Sequence, residues 1–410
     1  MRLVMTLKVR DEADVIEDNL RYHHALGVDF FVVIDNGSTD GTSEVLQRYA
    51  AAGLAHVIRD ETSQLRANEV RWTGEMGRLA STEYDADWVF HNDADEFWWP
   101  LTGSLKDAFG SVPEAYGGVV APRAEFVGRP DGPGSFADRL VVREARSSLQ
   151  PKVGHRGDPN VVALSNTHEV ASTTTGDLWH ALRPPRRLVH RGARSRGPEE
   201  TEEDVRLVWA PVWPLRIFHF PLRSYEQFRR RTEIFLLHGG FRDSGRFKRL
   251  RHHYEQGRLD ELYAGLVWDD VAVEDGIRDG QLVRDDRIAK LLPRCPDPLE
   301  GAAAGSVAVE VDPGALARER TEVELDAMRL LTRTQRFTML QLDRSRAKID
   351  ELQSRNYQLR EKLDRTLGRR LRRVMRRRRP MADELQAAYP PPELETASAT
   401  VGSKAEAVEG

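Results

Sequence analysis

Trp88-Val89-Phe90-His91-Asn92-Asp93-Ala94-Asp95-Glu96-Phe97-Trp98-Trp99-Pro100 is the stretch whose reading decides the fold. An apolar run, long enough only for a buried strand, breaks off into three carboxylates at Asp93, Asp95 and Glu96, and aromatic residues resume at once. Carboxylates gathered at a strand end need something positive beside them. A divalent cation with oxygen ligands, itself neutralising the phosphates of a bound ligand, meets that need. A solvated Asn/Asp turn closing the strand explains the same residues. Spacing alone leaves both open.

Upstream, strands alternate with helices. Residues 2 to 9 read as a first strand, and Glu12 to Leu26 as a helix with apolar positions at Val15, Ile16, Leu20 and Leu26. Gly27 stops that helix, because glycine tolerates the left-handed conformation at a helix C-terminus. Phe30-Phe31-Val32-Val33-Ile34 is a continuous apolar strand of the kind buried on both faces of a parallel sheet. It runs into Asp35-Asn36-Gly37-Ser38-Thr39-Asp40-Gly41-Thr42, after which Ser43 to Ala51 reads as helix, with Asp40 as its cap. His56-Val57-Ile58-Arg59 is a third strand, ending at Asp60, and a helix over Asn68 to Leu79 leads to the central strand. This alternation predicts an α/β domain whose mostly parallel sheet takes ligands beyond the carboxyl ends of its strands. Asp35, Asp60, Asp93 and Asp95 fall at such ends and are expected to converge on one crevice. Asp35 or Asp60 would accept hydrogen bonds from a ribose or base edge, while Asp93 and Asp95 hold a metal. Each alone is equally an ordinary turn or cap residue.

The 410 residues carry 61 Lys+Arg against 65 Asp+Glu, a formal charge of −4. No global field draws such a chain to nucleic acid, which is not expected as a partner. The single cysteine, Cys295, can form no internal disulfide, as suits a reducing compartment. The N-terminus lacks the apolar length of a signal peptide, and no run of about 18 apolar residues is present to span a bilayer. A cytoplasmic protein is expected, peripheral at the inner face of the membrane.

Lys8-Val9-Arg10-Asp11-Glu12, Tyr22-His23-His24-Ala25-Leu26-Gly27-Val28, Val33-Ile34-Asp35-Asn36-Gly37-Ser38-Thr39-Asp40-Gly41-Thr42 and Asn92-Asp93-Ala94-Asp95-Glu96-Phe97 together resemble the nucleotide-sugar glycosyltransferases of the GT-A fold. The family is family-2-like, in the branch with a D-x-D-E-F metal motif, and the resemblance covers roughly residues 1 to 240. It implies a Rossmann-like domain binding a nucleoside diphosphate sugar, with Mn²⁺ or Mg²⁺ between the Asp pair and the diphosphate. Arg10 and Glu12 would lie near the nucleotide, Asp35 at the uracil or ribose, and Asp93 and Asp95 at the ribose and metal. Lys152-Val153 and Asn166-Thr167-His168-Glu169-Val170 are similar to later elements of the branch. Arg216 to Phe228 looks like its H-Y/F-x-x-R-S-x-E-x-F element, which makes His219 a third metal ligand and places Arg223 at the diphosphate. The loop Gly128 to Gly134, with Pro130 and Pro133, is expected to be mobile and to order over the donor.

Sugar transfer expels a diphosphate, and inversion requires a carboxylate to deprotonate the acceptor hydroxyl. Glu125 and Glu169 are the candidates, Glu125 the favoured one, with Glu96 either a third or a brace of the metal loop. The expected organisation is a transferase domain over 1–240, a helical extension over 241–300, a linker over 301–312, a long helix over 313–379 and a disordered tail over 380–410. Heptad positions at Leu342, Ile349, Asn356 and Leu363 suit a coiled coil, hence a homo-oligomer through 325–366. Eight arginines between Arg369 and Arg379 suit anionic headgroups and a glycan or lipid-linked acceptor at the membrane. Two rival functions remain, nucleotidyl or phosphoryl transfer at the Asp cluster and a non-catalytic nucleotide-sugar-binding scaffold.

Overall fold

The computed structural model describes residues 1–61, 65–114, 116–165, 169–172, 177–180, 206–208, 215–238, 244–326, 328–329 and 332. The chain forms two compact units, Met1–Met339 and Leu340–Gly410. The second lies outside the described residues, and with it most of the expected coiled coil and all of the arginine-rich end.

Strand and helix alternate through the first half as β1 (Leu3–Val9), α1 (Ile16–Ala25), β2 (Phe30–Asp35), α2 (Thr42–Ala51), β3 (Ala55–Arg59), α3 (Leu65–Thr82), β4 (Trp88–Asn92) and β5 (Glu96–Pro100). Then follow α4 (Leu105–Gly110), β6 (Gly118–Glu125), α5 (Phe136–Arg139), β7 (Val142–Glu144), β8 (Ser148–Arg156), β9 (Val161–Ser165), β10 (Glu169–Ser172), β11 (Asp177–His180), β12 (Arg206–Val208) and β13 (Leu215–His219). The described part continues with α6 (Tyr225–His238), α7 (Gly245–Glu255), α8 (Leu259–Ala264), α9 (Asp270–Arg278), β14 (Leu282–Arg284) and α10 (Arg287–Leu291).

The expected α/β class is what the chain adopts, an eight-stranded sheet in the order β3-β2-β1-β4-β8-β6-β13-β5 with helices packed against it. Its first four strands are parallel, in a register that pairs Val9 with Asp35, Ile34 with Ile58 and Leu7 with Asn92. Their carboxyl ends therefore share one edge, and the loops at 10–15, 36–41 and 93–95 rise from it side by side. The other half is mixed: β8 runs antiparallel to β4 and β6, and β13 runs parallel to β6 and antiparallel to β5. β5 is outermost, which explains how Pro100, with no N–H to donate, ends a strand. β9 to β12 form a separate four-stranded sheet.

The apolar runs of β1, β2 and β4 bury both faces, as parallel strands with helices on each side must. Gly27 closes α1 at φ +111°, against the stem of Lys106, where a side chain would be strained. Residues 301–312, expected as a linker, lie along the domain. Gly305 and Val307 donate to the His24 and Ala25 carbonyls, and Val309 pairs with Gly103. The alternation Val307, Val309, Val311 puts one apolar edge into the main core, and Arg216, almost wholly buried, meets Glu319 at 3.0 Å. The loop expected to be mobile, Gly128 to Gly134, is tethered: Asp131 accepts from the Tyr225 backbone at 3.1 Å and from the Tyr263 hydroxyl at 2.7 Å.

Candidate active site

The β4–β5 connection is a tight turn in which the Glu96 amide donates to the Asp93 carbonyl at 3.0 Å. Its shape is set from below by α1. The Asn19 amide group donates to the Ala94 carbonyl at 2.9 Å and to the Glu96 carbonyl at 2.7 Å. His23, held neutral by burial with its pKa pushed down to about 3, accepts from the Trp98 amide at 3.1 Å. The Tyr22 hydroxyl donates to the Trp98 carbonyl at 3.0 Å. The acidic turn is thus bolted to the helix beneath it by Asn19, Tyr22 and His23, which the sequence presented as helix positions.

Sheet register then assembles the chemistry. Pairing of β5 with β13 and of β13 with β6 sets Glu96, His219 and Glu125 in one row across three strands. Residues directly opposite in paired strands project to the same face. His219 Nδ1 lies 2.5 Å from Glu125 Oε2, while Nε2 faces Asp95 Oδ2 at 3.4 Å. Arg123 bridges Glu125 at 2.7 Å and Glu96 at 3.1 Å. Lys152, wholly buried on β8, joins Glu96 at 2.9 Å to Asp93 at 2.6 Å. Asp93, Lys152, Glu96, Arg123, Glu125, His219 and Asp95 thereby form one continuous chain of alternating charge. On the outer side, Arg231 meets Asp95 at 3.2 Å. The buried Arg223 pairs with Glu12, with Asp14 at 2.7 Å and with Asp95 at 3.8 Å.

The titrations follow from these contacts. Burial acts to raise the Asp93 carboxyl, but Lys152 and then Lys8 outweigh it and hold Asp93 below the usual carboxylate range. Asp95 is likewise held down, by His219 and then by Arg231 and Arg223, against its burial. Burial would lower His219, yet Asp95 and Glu125 push it up to about 9. Burial dominates at Glu12, whose carboxyl is raised to about 7 despite Arg223.

The expected site residues divide accordingly. Glu12, Asp93, Asp95, Glu125, His219 and Arg223 share the network. Asp35 turns inward, accepting from the Ser38 amide at 2.9 Å and from the Ser43 hydroxyl. Asp60 takes the Trp72 indole N–H at 2.7 Å and Arg71 at 2.9 Å. Arg10 donates to the Asn36 side chain at 3.3 Å. The loops at 10–15 and 36–42 are stitched to each other: Asp11 accepts from the Thr39 amide at 2.7 Å, and the Glu12 amide donates to Thr42 at 2.8 Å. Asp40 accepts from Thr42 and from the Ala13 amide, as a cap would. Glu169 opens β10 in the second sheet, and its side chain lies outside the described residues.

For a divalent cation the donor set fits in part. Asp95 and His219 present an oxygen and a nitrogen to one point, and the carboxylate on the far ring nitrogen is the usual second partner of a metal-ligating histidine. Asp93 is engaged by Lys152, and no group of three or more His, Cys, Asp or Glu side chains in metal-binding geometry occurs among the described residues.

The family model of glycosyltransferase family 92 matches residues 8–114, from the end of β1 past the acidic turn. The chain is 30% identical over 157 residues to the lipopolysaccharide core biosynthesis glycosyltransferase LpsC of Rhizobium meliloti, spanning 36% of this chain and 52% of that one. It thus covers about half the length of the curated relative it matches. Among solved structures, Staphylococcus aureus TarS in complex with UDP-GlcNAc is similar over 38% of this chain and 46% of its own, at 17% identity and a TM-score of 0.25. Mycobacterium tuberculosis glucosyl-3-phosphoglycerate synthase, solved with Mn²⁺, UDP and glucosyl-3-phosphoglycerate, is similar over 30% and 44%, at 23% identity and a TM-score of 0.21. Neither structural likeness extends to the whole chain. Family-level similarity is therefore to glycosyltransferases, and the family whose model matches is 92 rather than the family-2-like group of the motif resemblance.

Proposed function

We propose that this chain transfers a sugar from a nucleoside diphosphate sugar to a hydroxyl acceptor, at the edge of the sheet where β1, β2 and β4 end. The observation that carries the proposal is the row Asp95–His219–Glu125, together with the glycosyltransferase match over residues 8–114, which include the acidic turn that carries Asp95. Asp95 and His219 are the side chains that would hold a Mn²⁺ or Mg²⁺ ion. When bound, the cation supplies Lewis-acid stabilisation of the charge gathering on the leaving diphosphate.

The protein's own groups do the rest. Glu125 accepts a hydrogen bond from His219 Nδ1–H, which fixes the ring and leaves Nε2 turned to Asp95. Arg223 and Arg231, both beside Asp95, supply positive charge for the diphosphate. Glu12, next to Arg223, and Arg10 line the nucleotide side. Both oxygens of Glu125 are engaged, by His219 and by Arg123, and its pKa lies below the usual value. It acts as a brace, and of the two carboxylates expected as the base of an inverting transfer Glu169 is the one that remains a candidate. Similarity to a lipopolysaccharide core enzyme supports an envelope glycan or lipid-linked acceptor. Residues 325–366 are assigned to self-association and 369–379 to contact with the inner face of the membrane. No described helix is long and apolar enough to cross one.

Thermal unfolding against a panel of nucleoside diphosphates and their sugars, with and without Mn²⁺, tests this for the wild type and Asp95→Ala. A metal-dependent rise with one nucleotide, lost in the variant, is expected. No shift with any nucleotide in the presence of metal contradicts it and favours a different ligand class.

A further inference from the structure

The solvent face of α7 is basic, and among the described residues Arg246, Lys248 and Arg249 on it have no ion-pair partner, Arg246 lying instead over the Phe235 ring at 5.8 Å. Phe247 and Leu250 turn into the helical layer, where Phe247 packs on Phe235 of α6 at 5.7 Å between ring centroids. Opposite them, at helical spacing, stand Lys248, Arg249, His252 and His253, flanked by Arg246. The one acid on the helix, Glu255, is taken by Arg251 at 2.7 Å. Among the described residues no carboxylate lies within ion-pair distance of Arg246, Lys248 or Arg249. A solvated surface helix commonly intersperses both signs, as α6 does with Arg229 and Arg230 paired to Glu226. Here the neighbouring acids are engaged at the margins, Glu255 by Arg251 and Glu261, which also acts on His253, by Arg258, although the chain as a whole is slightly acidic.

We propose that the outer face of α7 docks on an anionic lipid bilayer, through its headgroups and without insertion. Charge complementarity names the occupant: clustered Lys and Arg on one side and a negative surface on the other. Insertion does not suit the helix, because its apolar side is already covered by α6 and α8 in a shared cluster with Leu259 and Leu262. The helix belongs to the layer that follows the site directly. α6 starts two residues after Arg223 and carries Arg231, which reaches Asp95, and α7 packs on its later turns. Docking there would bring the proposed transfer site to a lipid-linked acceptor, so the inference rests on the function proposed above.

Co-sedimentation of the full chain with phosphatidylcholine vesicles, with or without phosphatidylglycerol, reads the contact directly. Binding is expected only to the anionic vesicles, and it should weaken as salt rises. Each Lys or Arg near such a surface contributes about fivefold in partitioning, so K248E/R249E should lower it by at least about 25-fold. The same variant should keep its nucleotide-dependent thermal shift, so failure of docking and failure of the proposed function are told apart. Undiminished binding by K248E/R249E, loss only when Arg369 to Arg379 are reversed, equal binding to neutral vesicles, no binding at all, or preference for an RNA oligonucleotide over vesicles would each overturn the proposal.

Discussion

Replacing Lys152 by methionine removes one positive charge from the centre of the sheet and keeps the length of the side chain. Lys152 and Glu96 are both 0% exposed, 2.9 Å apart, and Asp93 lies 2.6 Å from the same ammonium. Removing one partner of a buried pair typically costs about 3–5 kcal/mol, because the other charge stays buried. Here two features cap the loss. Arg123 still reaches Glu96 at 3.1 Å, and Asp93 is one-third exposed. Glu96 can also take up a proton, its carboxyl being already raised by burial. At pH 7 that costs a carboxyl with an ordinary pKa near 4.3 about 3.7 kcal/mol, and at pH 5 about 1 kcal/mol. Lys152→Met should therefore destabilise by about 3 kcal/mol at pH 7 and by clearly less at pH 5, as read from urea unfolding followed by tryptophan fluorescence. Adding Glu96→Gln should recover part of the loss, a coupling that unconnected residues would not show. A penalty below about 1 kcal/mol at pH 7, or one independent of pH, would refute the idea that this lysine neutralises the acidic turn.

Other outcomes follow from single contacts. Asn19→Ala strips the Ala94 carbonyl of its donor while Glu96 keeps one from Asn92. It should cost about 2 kcal/mol in urea unfolding, and an unchanged midpoint would show that the turn does not need the helix beneath it. In metal-free protein His219 has a folded pKa near 9 against an ordinary 6.5. A raised folded pKa gives stability that is complete below pH 6.5 and is lost as pH rises through 9. The melting temperature should fall across that window, and His219→Gln should flatten the fall. An identical slope in the variant would assign it elsewhere. Stabilisation by Mn²⁺ should be greater at pH 8.5 than at pH 6.5, because the ion and the proton compete for Nε2.

The strand ends were legible because apolar runs and their carboxylate stops are local signals. β1 to β4 and the helices between them lie within a few residues of where periodicity put them. The partners of those carboxylates were not legible. Lys152 reaches Asp93 across 59 residues and Arg123 reaches Glu96 across 27, through a strand order that no local pattern encodes. Asn19 and His23 read as helix interior, and their task appears only once α1 lies under the acidic turn. Asp35 sits at a strand end, as expected, but its oxygens close the next loop through Ser38 and Ser43. The docked segment at 307–311 did carry a signal, valines at every second residue, that the neighbouring Ala and Gly run obscured.

The most direct measurement is release of nucleoside diphosphate from candidate nucleotide sugars by the full chain with Mn²⁺, comparing wild type with Asp95→Asn and His219→Gln. Sugar transfer at the Asp95–His219 pair predicts turnover of one donor in the wild type and a fall of at least about 100-fold in both variants, the scale of losing one transition-state charge partner. Equal release by all three proteins, or binding of a nucleotide sugar with no turnover by the wild type, would contradict it.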